Sequence, residues 1–536
     1  MAENHTPSCA VNRLKARSSC HPLWRLGLVL LGGVGLSLLD CLPGWSYVAL
    51  MAGQSARPLN GRFNQVPVLH SNQPEEVEGP GILISTTPGF SYAAETGQRL
   101  ANATYTFNGD FGIHLHHKYF PPYRGTIRSD QRRTEITLGL ILINPGMTPV
   151  RFQFERGAVR NSFEAPYLGE SKMGVRPLGP RPWNTGPGDA TAVQMLRGQL
   201  DRKLSEEYVL PARSRVVFFT TDLPALGIAN ALLKGRSSGP FQMAVVAARN
   251  PIDDTDLLRV LDQGRLAPGR VYLRRITDIK TRRVFSRVGG VAIGDSYSAA
   301  ITHDLSSQGA LHVPLTSTVR NNFGTRDVQV NPLAARMIDS SLDNVGTYGV
   351  RFDLDLNLIG RGPYQLVLSH PTAVGGRHFT AFRGSLQITT PEGLQEMHVG
   401  LRSGQSVALT ALNLVPNRPN PVRVSLVYPA DATPGHLLSV VSESQLAIVQ
   451  EKERRLELAR AATDNNPAEV NVIPPAVMRE PEQPHPSLPK LPPPPLTLQL
   501  APLMYPRTPP SQPVLLDGYQ PVQDAQQRWI RNLQQN

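Results

Sequence analysis

The residues best placed to do chemistry lie in Asp110-Phe111-Gly112-Ile113-His114-Leu115-His116-His117. On a β-strand, His114 and His116 would project from one face about 6–7 Å apart, a separation at which two imidazoles can share one metal ion. A zinc-type centre needs a third ligand, and Asp110 and His117 are the local options. No His-Glu-x-x-His helix accompanies them. Ordinary strand histidines are the competing reading, and the sequence implies no cofactor.

Three other stretches have a chemical look. Gly294-Asp295-Ser296-Tyr297-Ser298 is similar to the nucleophile block of the Gly-Asp-Ser esterases. Those enzymes need an α/β fold and a late Asp-x-x-His, and none of the 13 histidines here has Asp three residues before it. A turn between strands is the expectation. Asp353, Asp355 and Asn357 imitate the start of a calcium loop, but Leu358 and Tyr364 stand where that loop needs Gly and Glu. They read as the wet face of a strand. Finally, Arg259–Arg287 holds nine Lys/Arg against two Asp. Arg274, Arg275, Arg282 and Arg283 are its candidate binding residues, for acidic polysaccharide or anionic lipid, with a solvated connector as the alternative. Only Tyr272 and Phe285 interleave the charges, so nucleic acid is not expected as a partner.

These stretches need elements to hold them, and the elements read as β. Val150, Phe152 and Phe154 alternate with Arg151, Gln153 and Glu155, and Phe352, Leu354, Leu356 and Leu358 alternate with Asp353, Asp355 and Asn357. That period of two marks half-buried strands. Asn144-Pro145-Gly146 ends an apolar run from Ile136 and signals a turn. The patterns around Ile136–Phe154 and Tyr348–Leu368 form a loose internal repeat. Short sequential strands favour antiparallel sheets packed face to face. We therefore expect a mainly β fold with two antiparallel β-sandwich-like domains (58–250 and 288–441), joined by a basic connector (251–287). Helices are expected at Ala190–Leu204 on the surface, at Thr255–Gln263, and from Ser442 to about Ala462. In the last, Gln445 can close a capping box on Ser442.

Both ends differ from the body. Arg13, Lys15, Arg17 and Arg25 precede an uncharged run from Leu26 to Leu39, too short for the roughly 20 residues of a membrane span. Residues 1–52 read as a signal peptide or a single membrane anchor, with a lipid anchor at Cys41 as a further option. All three imply export to the periplasm, cell surface or medium. The only cysteines, Cys9, Cys20 and Cys41, lie in this leader, so the body excludes thiol catalysis, cysteine-ligated zinc and iron–sulfur clusters. Asn465–Pro521 carries 17 of the 49 prolines, and 464–536 is expected to be a disordered, proline-rich tail that acts as a spacer.

Several stretches in order resemble one family. They are Val66–Asn72, Gly81–Thr86, His116-His117, Asn144-Pro145-Gly146, Leu196-Arg197-Gly198, Ser286–Ala292, Tyr348-Gly349-Val350, Phe382-Arg383-Gly384 and Tyr428–Pro434. Together they are similar to a cyanobacterial family of exported proteins known only as a domain of unknown function. The resemblance implies export and architecture, and no activity. The expected function is thus a non-enzymatic exported or envelope-associated structural or interaction protein, with an envelope polysaccharide or another protein as partner. The alternatives are a metal-dependent or carbohydrate-directed enzyme using His114/His116, and an acidic-polysaccharide binder using the basic patch.

Overall fold

A computed structural model describes residues 56–127, 134–167, 173–180, 185–282, 287–371, 379–430, 432–464 and 514–515. The leader, Arg283 and nearly all of the proline-rich tail lie outside them. The chain is mainly β, 51% strand against 14% helix, as the alternation implies.

In the C-terminal half, the pattern of Arg351–Ile359 does what period two requires. Phe352, Leu354, Leu356 and Leu358 are buried, while Asp353, Asp355 and Asn357 stay partly exposed. This strand lies inside a seven-stranded sheet, between Ser296–Asp304 and Asn420–Val427, with Thr380–Thr390 and Gly393–Arg402 following outward. A four-stranded sheet (Leu311–Leu315, His436–Ser442, Gly362–Ser369, Ser406–Leu414) shares its core through Leu311, Val313 and Leu315 and through Leu366, Leu438 and Val440.

The N-terminal half is organised by one 22-residue strand, Ile228–Arg249. Its first part pairs with Phe107–Tyr119 and Val150–Asn161, and its second with Thr134–Asn144 and Gly81–Ser85. A register shift between Ser237 and Phe241 lets one strand serve both sets of neighbours. The core here is aromatic: Phe241 packs edge-on against Phe111 and Phe152 at 4.9 and 4.7 Å, and Phe154 stacks on Phe218 at 4.2 Å. Such pairs add roughly 0.5–1.5 kcal/mol each beyond the area they bury.

The two halves interlock. Arg62–Phe63 adds to the C-terminal seven-stranded sheet, whereas Pro67–Ser71, four residues on, pairs with Phe107–Tyr119. Gly174–Pro177, from the N-terminal half, caps the far edge of the C-terminal sheet. Most pairings are antiparallel, as expected. Pro67–Ser71 with Phe107–Tyr119 and Ser296–Asp304 with Arg351–Ile359 are parallel, because each pair joins strands separated by long connections. The two stretches of the loose repeat are both corners, not hairpins. Thr134–Asn144 and Val150–Asn161 pair with other strands, as do Arg351–Ile359 and Gly362–Ser369.

The expected helices form at shifted positions. Pro187–Leu196 is buried along almost its whole length. It is therefore not the surface helix read from Ala190–Leu204: Ala190, Ala192 and Val193 are small enough to pack tightly between the halves. Asp254–Asp262 starts on the side chain of Asp253, which accepts from the Thr255 amide. Glu443–Asp464 opens with the expected capping box. Ser442 Oγ accepts from the Gln445 amide at 3.3 Å, and Gln445 Oε1 accepts from the Ser442 amide at 3.2 Å. Within the tail, Val514–Leu515 pairs with Ser214–Arg215.

Candidate functional site

The histidines of the first candidate stretch sit on Phe107–Tyr119, in the middle of the N-terminal sheet. Parallel pairing with Pro67–Ser71 sets His70 beside His114, and antiparallel pairing with Ile228–Arg249 sets Asn230 beside His116. All four histidines here, His70, His114, His116 and His117, are at most 1% exposed. Each is used inside the fold. His70 and His114 share a hydrogen between their Nδ1 atoms, 3.1 Å apart. His116 Nδ1 lies 3.0 Å from Asn230 Oδ1, and Asn230 Nδ2 donates to Thr191 Oγ1 at 2.6 Å, on the buried helix. His117 Nδ1 donates to the Pro74 carbonyl at 2.8 Å, so its Nε2 accepts from Ser71 Oγ, also at 2.8 Å.

What covers this face comes from far along the chain. The helix Pro187–Leu196 is one layer, and Gly349 the other. At φ +75°, a Cβ on Gly349 would lie 3.0 Å from Leu232 Cδ2 and 3.3 Å from His114 Cγ. The chain thus closes over the imidazole where only glycine fits. Burial disfavours the charged form of three of these rings: it lowers His70 and His117 to about 3 and His114 well below the usual imidazole value, with repulsion from His70, His116 and His117 adding to the effect at His114.

Neither third ligand suggested by the sequence reaches the pair. Asp110 is tied to Arg236 at 2.6 Å near the surface, and His117 projects from the opposite face of the strand to His114 and His116. Among the described residues, no three His, Cys, Asp or Glu side chains converge at metal-binding distance.

Two further polar clusters were not legible in the sequence. Asp189, near the start of the buried helix, accepts from His398 Nδ1 and from Ser385 Oγ, each at 3.0 Å, joining that helix to the C-terminal sheet. The serine bonds to the carboxylate and not to the imidazole, so this is not the geometry of a nucleophilic triad. Arg270 and Asp339 form an ion pair with both side chains fully buried, and Arg270 also donates to the Leu83 carbonyl.

That pair changes the meaning of the basic connector. Arg270 is inside the core, Arg259 is paired with Asp256, Arg275 with Asp278 and Arg287 with Glu75. Of the candidate binding residues, Arg274 and Arg275 are exposed on the short helical turn Val271–Arg275, and Arg282 ends the helix Ile276–Arg282. Arg283 falls outside the described residues.

Gly294 and Asp295 form the turn between Gly289–Ile293 and Ser296–Asp304. Asp295 is held by Lys234 at 2.9 Å and by Asn64. On the C-terminal sheet, Asp353 accepts from Arg351 and Ser425, and Asp355 from Arg423. These are strand neighbours on a wet face. An open groove of about 610 Å³ lies over the end of this face, lined by Ala300, Asp355, Asn357, Thr389, Pro391 and Arg423 among others. A smaller cleft of about 230 Å³ lies on the N-terminal half, beside Phe90, Asn102 and Arg215.

The molecule is thus a mainly β protein of interlocked sheets whose candidate histidines are built into its core. A family model for proteins of unknown function, DUF3370, matches residues 54–442, and the chain belongs to that family. No curated protein matches it.

Proposed function

We propose that this is a non-enzymatic exported or envelope-associated protein that acts through its surfaces on an envelope polysaccharide or a protein partner. One observation carries the non-enzymatic part. The histidines that offered the best chemistry are core residues, and His114, His116 and His117 each have hydrogen-bond partners within the fold. Export is supported by the basic and then apolar leader, by cysteines confined to that leader, and by the resemblance to exported cyanobacterial proteins. Fractionation of cells that make the native protein, followed by N-terminal sequencing, tests the compartment. The expected result is envelope or extracellular protein, beginning near residue 53 if the leader is cleaved; cytosolic protein with an intact leader would overturn the reading. Metal analysis of the purified protein and of a His114→Ala/His116→Ala variant is expected to find no stoichiometric metal in either. Metal present in the native protein and lost in the variant would favour the metalloenzyme alternative.

A further inference from the structure

We infer that the groove on the C-terminal sheet is a binding site for an uncharged polysaccharide, a proposal that rests on the surface-acting role above and names its ligand. Ala300 pairs with Asp355, Asp355 with Arg423, and Arg423 with Thr389, so these four residues form one row across four adjacent strands. In the next row Thr302 stands opposite Asn357, and Asn357 opposite Pro421. At about 4.8 Å between strands the first row spans roughly 14 Å. That is the length of a short oligosaccharide lying across the strands, and the groove's 610 Å³ falls within the usual range of small-molecule sites, about 300–1,000 Å³.

The chemistry of the row fits sugar hydroxyls. The Asn357 amide can donate and accept at once, the lone pairs of Asp355 and the N–H groups of Arg423 outside their mutual contact can each meet a hydroxyl, and Thr389 and Thr390 add hydroxyls that can donate or accept. Ala300, the small member of the row, leaves the floor open at one end. Pro391 and Pro421 supply apolar surface against which the C–H faces of a pyranose ring can pack. Asp355 and Arg423 are fixed by a two-point contact, at 2.6 and 2.8 Å, so both are oriented before a ligand arrives.

The charge of the groove decides between ligand classes. Its two ionised side chains neutralise each other. A polyanion therefore gains nothing here, and nucleic acid finds neither phosphate-neutralising charge nor an aromatic platform. A neutral chain of hydroxyls is the ligand this floor complements.

The test uses the full chain and four neutral probes (maltotetraose, cellotetraose, mannotetraose and a galactose tetramer), with polygalacturonate as the acidic control, by titration calorimetry at 0.05 and 0.5 M salt. Binding of at least one neutral tetramer is expected, changed less than twofold by salt and weakened at least tenfold in Asn357→Ala and in Arg423→Ala. Thermal unfolding of each variant checks that it is folded, and Thr389→Ala gives a second variant away from the ion pair. Absence of neutral binding, or neutral binding unaffected by all three substitutions, overturns the inference. So does binding of polygalacturonate alone, lost in high salt. A protein that fractionates with the envelope yet binds no neutral probe would sink this inference and leave the proposed function standing; a cytosolic protein would sink that function whatever the calorimetry showed.

Discussion

The strands Phe107–Tyr119 and Arg351–Ile359 share a local design and have opposite fates. Each alternates polar with apolar residues, His114 and His116 in one, Asp353, Asp355 and Asn357 in the other, and each lies inside a sheet with a neighbour on both sides. On the first, both faces are buried from Phe111 to His117 and the histidines are core. On the second, the polar face is open and lines a groove. What differs is a second layer: the helix Pro187–Leu196 and the close approach at Gly349 cover the histidines, and no described element covers the floor of the groove. Residue type fits each fate. A neutral imidazole can be buried with its hydrogen bonds made inside the fold, whereas an ion pair such as Asp355–Arg423 gives up the hydration of two charges on burial.

Acid should act most severely on the covered region. The unfolded chain binds protons on its histidines near pH 6.5, while burial holds His70 and His117 down to about 3, His312 and His370 to about 4, and His114 and His436 well below the usual imidazole value. Protons therefore favour the unfolded state. Stability is fully present above pH 6.5 and falls as the pH drops from there towards 3–4, by up to about 1.4 kcal/mol per pH unit for each such histidine. Urea unfolding at pH 7.5, 6 and 5 should show a steep loss; a midpoint that does not move across this range would contradict a core built on neutral histidines.

A single substitution in the covered region comes next. Asp339→Ala strands the buried Arg270 guanidinium and should cost about 3–5 kcal/mol in the same assay at pH 7.5. A loss below about 1 kcal/mol would mean that water reaches the pair.

The C-terminal helix is intermediate between the two regions. Glu453 is buried against the C-terminal sheet, where its carboxyl accepts from Ser406 Oγ at 2.8 Å. Burial, with a smaller push from Glu457, raises its carboxyl to about 7. A raised acid favours the folded state below its usual value, and that contribution is lost as the pH rises through 7. Amide exchange in Glu443–Asp464 should therefore speed up between pH 6 and 8, beyond its intrinsic pH dependence. Glu453→Gln should slow it at pH 8, by an amount equivalent to about 1–2 kcal/mol. Equal protection in the two proteins at pH 8 would count against a buried carboxyl there.

The smallest effect belongs to the wet face. Asp355→Asn removes an ion pair that is half exposed on both sides and should change stability by less than about 1 kcal/mol. A larger loss would mean that this face is covered after all.

The sequence made some of this legible and hid the rest for physical reasons. Alternation located the strands at Val150–Phe154 and Arg351–Ile359, and the Ser442/Gln445 pair marked the start of the last helix, because both signals are local. The parallel pairing of Pro67–Ser71 with Phe107–Tyr119 is not local, and it is what places His70 against His114. Ile228–Arg249 ran through Gly235, Gly239 and Pro240, residues that usually end a strand, because the register shift there absorbs them. Charge counting exposed a basic connector but could not show that Arg270 meets Asp339, 69 residues on, inside the core. The alternation at His114 and His116 revealed a shared face and nothing about the layer above it.

The histidines of Phe107–Tyr119 form a sealed core. NMR titration of the imidazole Cε1–H signals, assigned by His70→Gln and His114→Gln, tests it directly. The account predicts that His70 and His114 keep their neutral shifts from pH 8 down to the onset of acid unfolding. Titration of either ring near pH 6.5 in the folded protein would contradict it.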